Sequence, residues 1–327
     1  MADAELSDYW KEEALSLGAA DARTAKKDAN LKHHVVQLQS DLISLGYLSG
    51  HPDGSYGPGT ARAVRRFQRH AARAYRMPQP DVGDSEQFGG EETGVCDQDT
   101  AIELRKWIQK GWKLPLNRFQ LTSLSAPNAS GKLRSDAAAA WNEIVQLVTR
   151  MGGTLSGPYG DTARVVHPNS KVGASRYSFH YCGRAVDICQ ALGGGSGQRY
   201  FVVKEPSGAT VHWRIYCKTD RQDGSQGNLL RKGSVTGYQF FNWSDYKLPE
   251  GYYVDLTQLI ESTGKFERIP AQGGWQGSYN KTEWWHFQYK LEEQPTFLDE
   301  MELIGYSETK LKAAWWSSVA DLDHAPG

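Results

Sequence analysis

The stretch Ser178-Phe-His180-Tyr-Cys-Gly183-Arg-Ala185-Val-Asp187 is answered much later in the chain by Glu283-Trp-Trp285-His286-Phe-Gln-Tyr289. Two imidazoles and one carboxylate form the three-ligand set of a catalytic zinc site, with one coordination position left open for water. A second carboxylate near one of the histidines can take that water's proton. Together the two stretches predict a zinc hydrolase.

The residues between the polar positions set the local shape. Gly183 and Ala185 are small enough for a tight turn to bring the aspartate back toward the histidine, with backbone packed close to a metal. In Ala185-Val-Asp187-Ile, strand alternation puts Asp187 on the face opposite Val186 and Ile188, so one face is core and the other is site. The Glu283–Tyr289 stretch is too aromatic for a helix and predicts a second strand. Residues three apart on a regular strand point to opposite faces. Glu283 and His286 therefore reach one metal only if Glu283 lies at the strand's entry or at a bulge, and an irregularity is expected there.

Ser-x-His-x-x-Gly-x-Ala-x-Asp followed by Glu-x-Trp-His resembles the M15 family of zinc D-Ala-D-Ala peptidases. That family includes D,D-carboxypeptidases, D,D-dipeptidases and phage L-alanyl-D-glutamate endopeptidases, and every fixed position of both motifs is present here. The resemblance implies that His180, Asp187 and His286 bind Zn²⁺ and that Glu283 is the general base. It also implies an oxyanion-stabilising arginine in a Ser-Gly-x-Arg stretch ahead of the histidine motif. Here Ser156-Gly157 is followed by Pro-Tyr-Gly-Asp-Thr-Ala before Arg164. The pattern is stretched, which makes Arg164 the first candidate and Arg176 the second.

Upstream, Val35, Leu38, Leu42 and Leu45 recur at helical spacing and stop at Gly46. Asp53-Gly54 then marks a turn, and Thr60 is placed to cap a helix carrying Ala61, Val64 and Phe67. The segment from Gly54 through Tyr56, Thr60-Ala61 and Val64 to Phe67 recurs at an offset of forty, from Gly94 through Cys96, Thr100-Ala101 and Leu104 to Trp107. A turn-plus-helix unit thus occurs twice. Leu38-Gln39, Leu45-Gly46-Tyr47, Asp53-Gly54, Tyr56-Gly57, Thr60 and Phe67-Gln68 resemble the type 1 peptidoglycan-binding domain, which implies a three-helix bundle. Residues 71–93 fit that pattern less well and read as a polar insertion. The two resemblances point to one polymer, peptidoglycan.

Composition is consistent with two domains and excludes little else. A chain of 327 residues exceeds one average domain, and a net charge of -1 without any Lys/Arg run gives no electrostatic case for nucleic acid. The 11 tryptophans and 16 tyrosines suit both core packing and glycan stacking. Cys96, Cys182, Cys189 and Cys217 are too few and too scattered for a Cys-rich zinc site or a disulfide framework. Free buried thiols are expected, with a Cys182–Cys217 or Cys189–Cys217 bridge as the alternative in an oxidising compartment. Residues 1–34 carry early acidic residues and no long apolar run, which predicts neither a Sec signal peptide nor a membrane span. A wall enzyme made in the cytoplasm in this way would reach its substrate through a holin or by injection, with a delivery apparatus or an immunity protein as partner.

The predicted organisation is α+β. An N-terminal helical segment (1–32) precedes a peptidoglycan-binding-like helical domain (33–115), a linker (116–132), a small antiparallel-sheet zinc peptidase domain (133–292) and an acidic, then aromatic tail (293–327) whose Trp315-Trp316 is expected to fold back. Ser135 or Asp136 is expected to cap a helix running to about Arg150, with Trp141, Ile144, Val145 and Val148 on one stripe. Tyr200–Val203 and Val211–Tyr216 predict a hairpin between the ligand motifs, with His212 a minor candidate for substrate contact. The function expected is hydrolysis of a D-amino-acid-containing amide of peptidoglycan by D,D-endopeptidase or D,D-carboxypeptidase action. An L-alanyl-D-glutamate endolysin, or a wall-anchoring protein with an inert peptidase fold, is the alternative.

Overall fold

The computed structural model describes residues 14–16, 18, 34–74, 88–114, 118–166, 176–193, 198–291, 295–314, 316 and 322–327. The chain divides into two compact units, Met1–Pro115 and Leu116–Gly327.

Three helices, α1 (His34–Leu45), α2 (Pro58–Ala74) and α3 (Gln98–Lys110), make up the described part of the first unit. The apolar positions read from the sequence are its core: Val35, Leu38, Leu42, Leu45, Val64, Phe67, Leu104 and Trp107 are almost completely buried in one cluster. The internal repeat is a repeat of hydrogen bonding as well. Gln39 Oε1 accepts from the backbone N–H groups of Asp53 and Gly54, while its Nε2 donates to Thr60 Oγ1. Gln68 Oε1 accepts from Gly94 N, and its Nε2 donates to Val95 O and Thr100 Oγ1. One buried amide thus satisfies the polar groups of each turn, and both turns need a residue free to adopt positive φ, at Gly54 (74°) and Gly94 (75°). Thr60 does not precede its helix as expected. Pro58 opens α2, the position where its missing N–H costs nothing, and Thr60 is buried in the first turn as the partner of Gln39. Of residues 1–32, only 14–16 and 18 are described. They are not helical: Leu15 forms an antiparallel bridge with Cys96.

The second unit contains β1 (Leu121–Ser123), β2 (Lys132–Arg134), α4 (Ser135–Arg150), β3 (Ala185–Asp187), β4 (Tyr200–Ser207), β5 (Thr210–Lys218), β6 (Asn228–Leu230), β7 (Thr236–Gln239), β8 (Ser244–Lys247), β9 (Gly251–Asp255), α5 (Leu256–Ser262), β10 (Phe266–Arg268), β11 (His286–Tyr289), α6 (Phe297–Leu303) and α7 (Glu308–Ala314). Its sheets are antiparallel: β10-β11-β3, β4-β5-β9-β6, and the pairs β1-β2 and β7-β8. Trp141, Ile144, Val145 and Val148 of α4 are buried against Phe266 and Phe287 of the first sheet and Ile215 of the second. The residue preceding α4 is Arg134, without a side-chain cap; Asp136 instead pairs with the Arg134 guanidinium at 2.8 Å. The expected hairpin is β4–β5, in register from Tyr200↔Cys217 to Ser207↔Thr210 and closed by a turn in which Gly208 has φ 59°. Pro206 lies in β4, which is an edge strand and so tolerates a missing N–H.

Two segments read from composition as linker and tail belong to the body of this unit. Leu121–Ser123 pairs with β2, so residues 116–132 include a strand. The C-terminal residues Phe297, Leu298, Met301, Leu311, Trp316 and Leu322 form one buried cluster with Tyr181 and Cys182, the two residues that follow His180. An ionic contact reinforces this layer. Glu300 Oε2 lies 2.5 Å from Arg134 Nη1 and 3.4 Å from Arg184 Nη1, with all three side chains at 2% exposure or less. Removing this carboxylate takes a counter-charge from two buried guanidinium groups, of which Arg134 keeps Asp136. Glu300→Ala is expected to destabilise the second unit by about 3–5 kcal/mol. Glu308→Ala, which breaks a more exposed pair with Lys312, should cost about 1 kcal/mol or less. Equilibrium denaturation checks this, and equal effects would remove the ionic cluster from the account.

Candidate functional site

The site begins with a register. In the antiparallel pair of β3 and β11, Asp187 lies directly opposite His286, with Val186 opposite Phe287. Alternation sends Val186, Ile188 and Phe287 into the core, all at 0% exposure, and turns Asp187 and His286 to the other face. His286 Nδ1 is 3.0 Å from Asp187 Oδ1. His180 arrives from the turn before β3. Gly183 ends this turn at φ 66°, and a Cβ there would lie 2.9 Å from Arg134 N, so a side chain would collide with β2. His180 Nε2 comes within 3.3 Å of the same Asp187 Oδ1. Ligand atoms of His180, Asp187 and His286 all lie within 4.8 Å of one another, and the three residues are buried.

The protonation chemistry of this cluster fits a cation. Thr162 O, 2.8 Å from His180 Nδ1, can only accept, so Nδ1 carries the proton. Neutral His180 then aims an unprotonated Nε2 at a carboxylate oxygen, lone pair against lone pair. That arrangement is satisfied either by a second proton on the imidazole or by a positive ion between the groups. A backbone carbonyl fixing one ring nitrogen while the other faces the ion is the usual support of a metal-binding histidine. Burial acts to raise the pKa of Asp187, but with the imidazoles carrying their second protons, hydrogen bonds and charge from His180 and His286 outweigh it and hold the carboxyl well below the usual carboxylate range; a positive ion between the groups would act in the same direction. Two imidazoles and a carboxylate are a donor set that suits zinc and its first-row neighbours.

Glu283 lies three residues before the cross-strand pair and outside β11, in a turn closed by His286 N donating to Glu283 O at 3.1 Å. Its φ is 55°, in a region that side chains other than glycine seldom adopt. This is the irregularity the sequence demands, placed at the strand's entry. Burial, with a smaller contribution from the charge of Asp187, pushes the Glu283 carboxyl above the ordinary glutamate value, against opposing contributions from His286, Arg164 and Gln272. Glu283, Arg164 and the three clustered residues line one cleft of about 800 Å³, together with Gln272 and Lys281. Arg164 N donates to His180 O at 2.9 Å, and its guanidinium is bonded to Asp161 Oδ2 through Nε at 2.9 Å.

The other candidates lie elsewhere. Arg176 does not line this cleft. His212 lines a different one, with Glu205, Glu261 and Arg268. All four cysteines are buried and free, and none belongs to the cluster. Sequence reasoning passed over Thr162 and Gln272. Thr162 acts through its backbone carbonyl, which no residue type announces, and Gln272 lies in a loop without a motif.

Residues 33–72 match the family model of a peptidoglycan binding domain. The match spans α1 and most of α2, and it associates the chain with the bacterial cell wall. No curated protein and no solved structure matches the chain. No helix among the described residues is long and apolar enough to cross a membrane.

The cluster geometry predicts a single site for Zn²⁺ titrated into the metal-free protein, with a rise in the melting temperature of the second unit. Asp187→Ala removes the oxygen shared by both histidines. It should lower affinity more than the roughly 10- to 100-fold typical of losing an outer hydrogen-bond partner. Isothermal titration checks this, and unchanged affinity in Asp187→Ala would place the ion elsewhere.

Proposed function

We propose that the second unit is a zinc-dependent peptidase of M15 type that hydrolyses a D-amino-acid-containing amide in the stem peptide or cross-link of peptidoglycan. The observation that carries this reading is the convergence of His180 Nε2 and His286 Nδ1 on one buried carboxylate oxygen beside a second carboxylate of raised pKa. The peptidoglycan-binding domain in the same chain supplies the polymer. Its part is to hold the enzyme on an insoluble substrate, which raises the effective concentration of nearby cleavable bonds.

His180, Asp187 and His286 would hold the zinc. Bound there, zinc supplies Lewis acidity and makes water acidic enough to act as a nucleophile near neutral pH. The chain's own residues do the rest. Glu283, in its charged form, accepts the proton released from the attacking water and passes it to the departing amine. A carboxyl group suits both halves of that task, because the carboxylate takes the proton and the resulting acid returns it. Arg164 stands beside His180 on the cleft wall, where its guanidinium can turn from Asp161 toward an oxyanion. Asp187 keeps both imidazoles aligned.

Digestion of purified sacculi, with and without a chelator, tests the reading. The new carboxyl end identified by mass spectrometry should be a D-amino acid, as D,D-cleavage requires, and should vanish with chelation; a new L-Ala carboxyl end paired with a D-Glu amine would assign the endolysin specificity instead. Glu283→Ala should retain bound zinc and release no products, whereas loss of zinc in this variant would make Glu283 a ligand. The rate should rise with pH as Glu283 loses its proton, because the base works only when deprotonated. Intact sacculi after digestion with zinc-loaded protein would leave the wall-anchoring alternative.

A further inference from the structure

We propose that Gln272 is a positioning residue that fixes the carboxylate of Glu283 through its side-chain amide. The proposal rests on the reading of Glu283 as general base. The turn around Glu283 fixes its backbone: φ is 55°, Glu283 O accepts from His286 N, and Thr282 O accepts from the buried indole of Trp213 at 2.6 Å. A fixed backbone does not fix a glutamate side chain. Three rotatable bonds separate the Cα from the reacting oxygens, and each has several wells. A side-chain partner is required to select one.

Gln272 supplies it. Its Nε2 donates to Glu283 Oε1 at 2.6 Å, and this direction is forced because an ionised carboxylate only accepts. The backbone that carries this amide is anchored at two points. Gln272 N donates to Lys281 O at 2.8 Å, tying it to the turn that carries the base, and the preceding Ala271 N donates to Val211 O of β5 at 2.8 Å. Gln272 and Glu283 both line the cleft. The bond occupies one of the carboxylate's roughly four lone-pair sites and leaves the others free to accept a proton. A neutral amide also suits the role better than a lysine or arginine would, since a cation at 2.6 Å would weaken the base far more.

The test uses the full chain carrying Gln272→Ala, an exposed position whose loss should leave folding intact. With sacculi as substrate, kcat should fall about tenfold, the value of roughly one charge-assisted hydrogen bond. KM should stay within about twofold and bound zinc should be unchanged. A rise in KM at constant kcat would make Gln272 a substrate contact, and unchanged kcat would remove it from the site; either overturns the proposal. A crystal structure of the variant gives a second readout that needs no activity. Glu283 should occupy more than one rotamer, and a carboxylate unmoved from its wild-type place would also overturn the proposal. If the wild type cleaves nothing, the hydrolase reading fails, and the rotamer result still decides whether Gln272 holds the carboxylate.

Discussion

The second unit is organised around one oxygen atom. Asp187 Oδ1 lies 3.0 Å from His286 Nδ1 and 3.3 Å from His180 Nε2, and the proton of His180 is committed to Thr162 O on the other side of the ring. A buried carboxylate facing an unprotonated nitrogen is costly unless positive charge compensates it. The fold maintains this arrangement by strand register. A slip of one residue between β3 and β11 would turn Asp187 into the core and bring Val186 to the site, so the packing of Val186, Ile188 and Phe287 enforces the polar geometry.

The support behind His180 comes from distant parts of the chain. Its turn is pinned by Gly183 O accepting from Arg134 N, and the side chains that follow it, Tyr181 and Cys182, are covered by the C-terminal layer. Arg134, Arg184 and Glu300 join β2, the ligand turn and α6 in one buried ionic contact. Groups of this kind add little net stability compared with apolar packing. Their effect here is geometric: they fix where the turn sits relative to β3. The inserted β4–β9 region does the same for the base, through the Trp213 indole and the backbone of Val211.

Much of the site was legible in the sequence because its chemistry depends on residue type and short spacing. His180, Asp187, Glu283 and His286 could be named, and the requirement that Glu283 leave the regular strand followed from the two-residue period alone. The apolar stripes of α1 and α4 were legible for the same reason. What escaped reading depends on long-range contact. Phe297, Leu298, Met301 and Leu311 look like part of an acidic and aromatic tail, with a fold-back legible at Trp315-Trp316 alone, until their packing against Tyr181 and Cys182 is known, and Leu121–Ser123 has the composition of a linker but finds an edge at β2. Thr60 looked like a cap because of its residue type, whereas its actual partner, Gln39, is 21 residues away. The expected N-terminal helices fall mostly outside the described residues, as does much of the polar insertion read at 71–93, whose first residues belong to α2.

The first unit solves a simpler problem twice, with one buried glutamine per turn, and its family match ties the chain to peptidoglycan. The central claim concerns the other unit, that its two histidines and one aspartate enclose a single metal ion. X-ray absorption at the zinc edge of stoichiometrically loaded protein tests this most directly. The expected spectrum has nitrogen and oxygen scatterers at about 2.0–2.2 Å, with an imidazole contribution that shrinks in His286→Ala and no sulfur. Sulfur in the first shell, or an identical spectrum from His286→Ala, would contradict it.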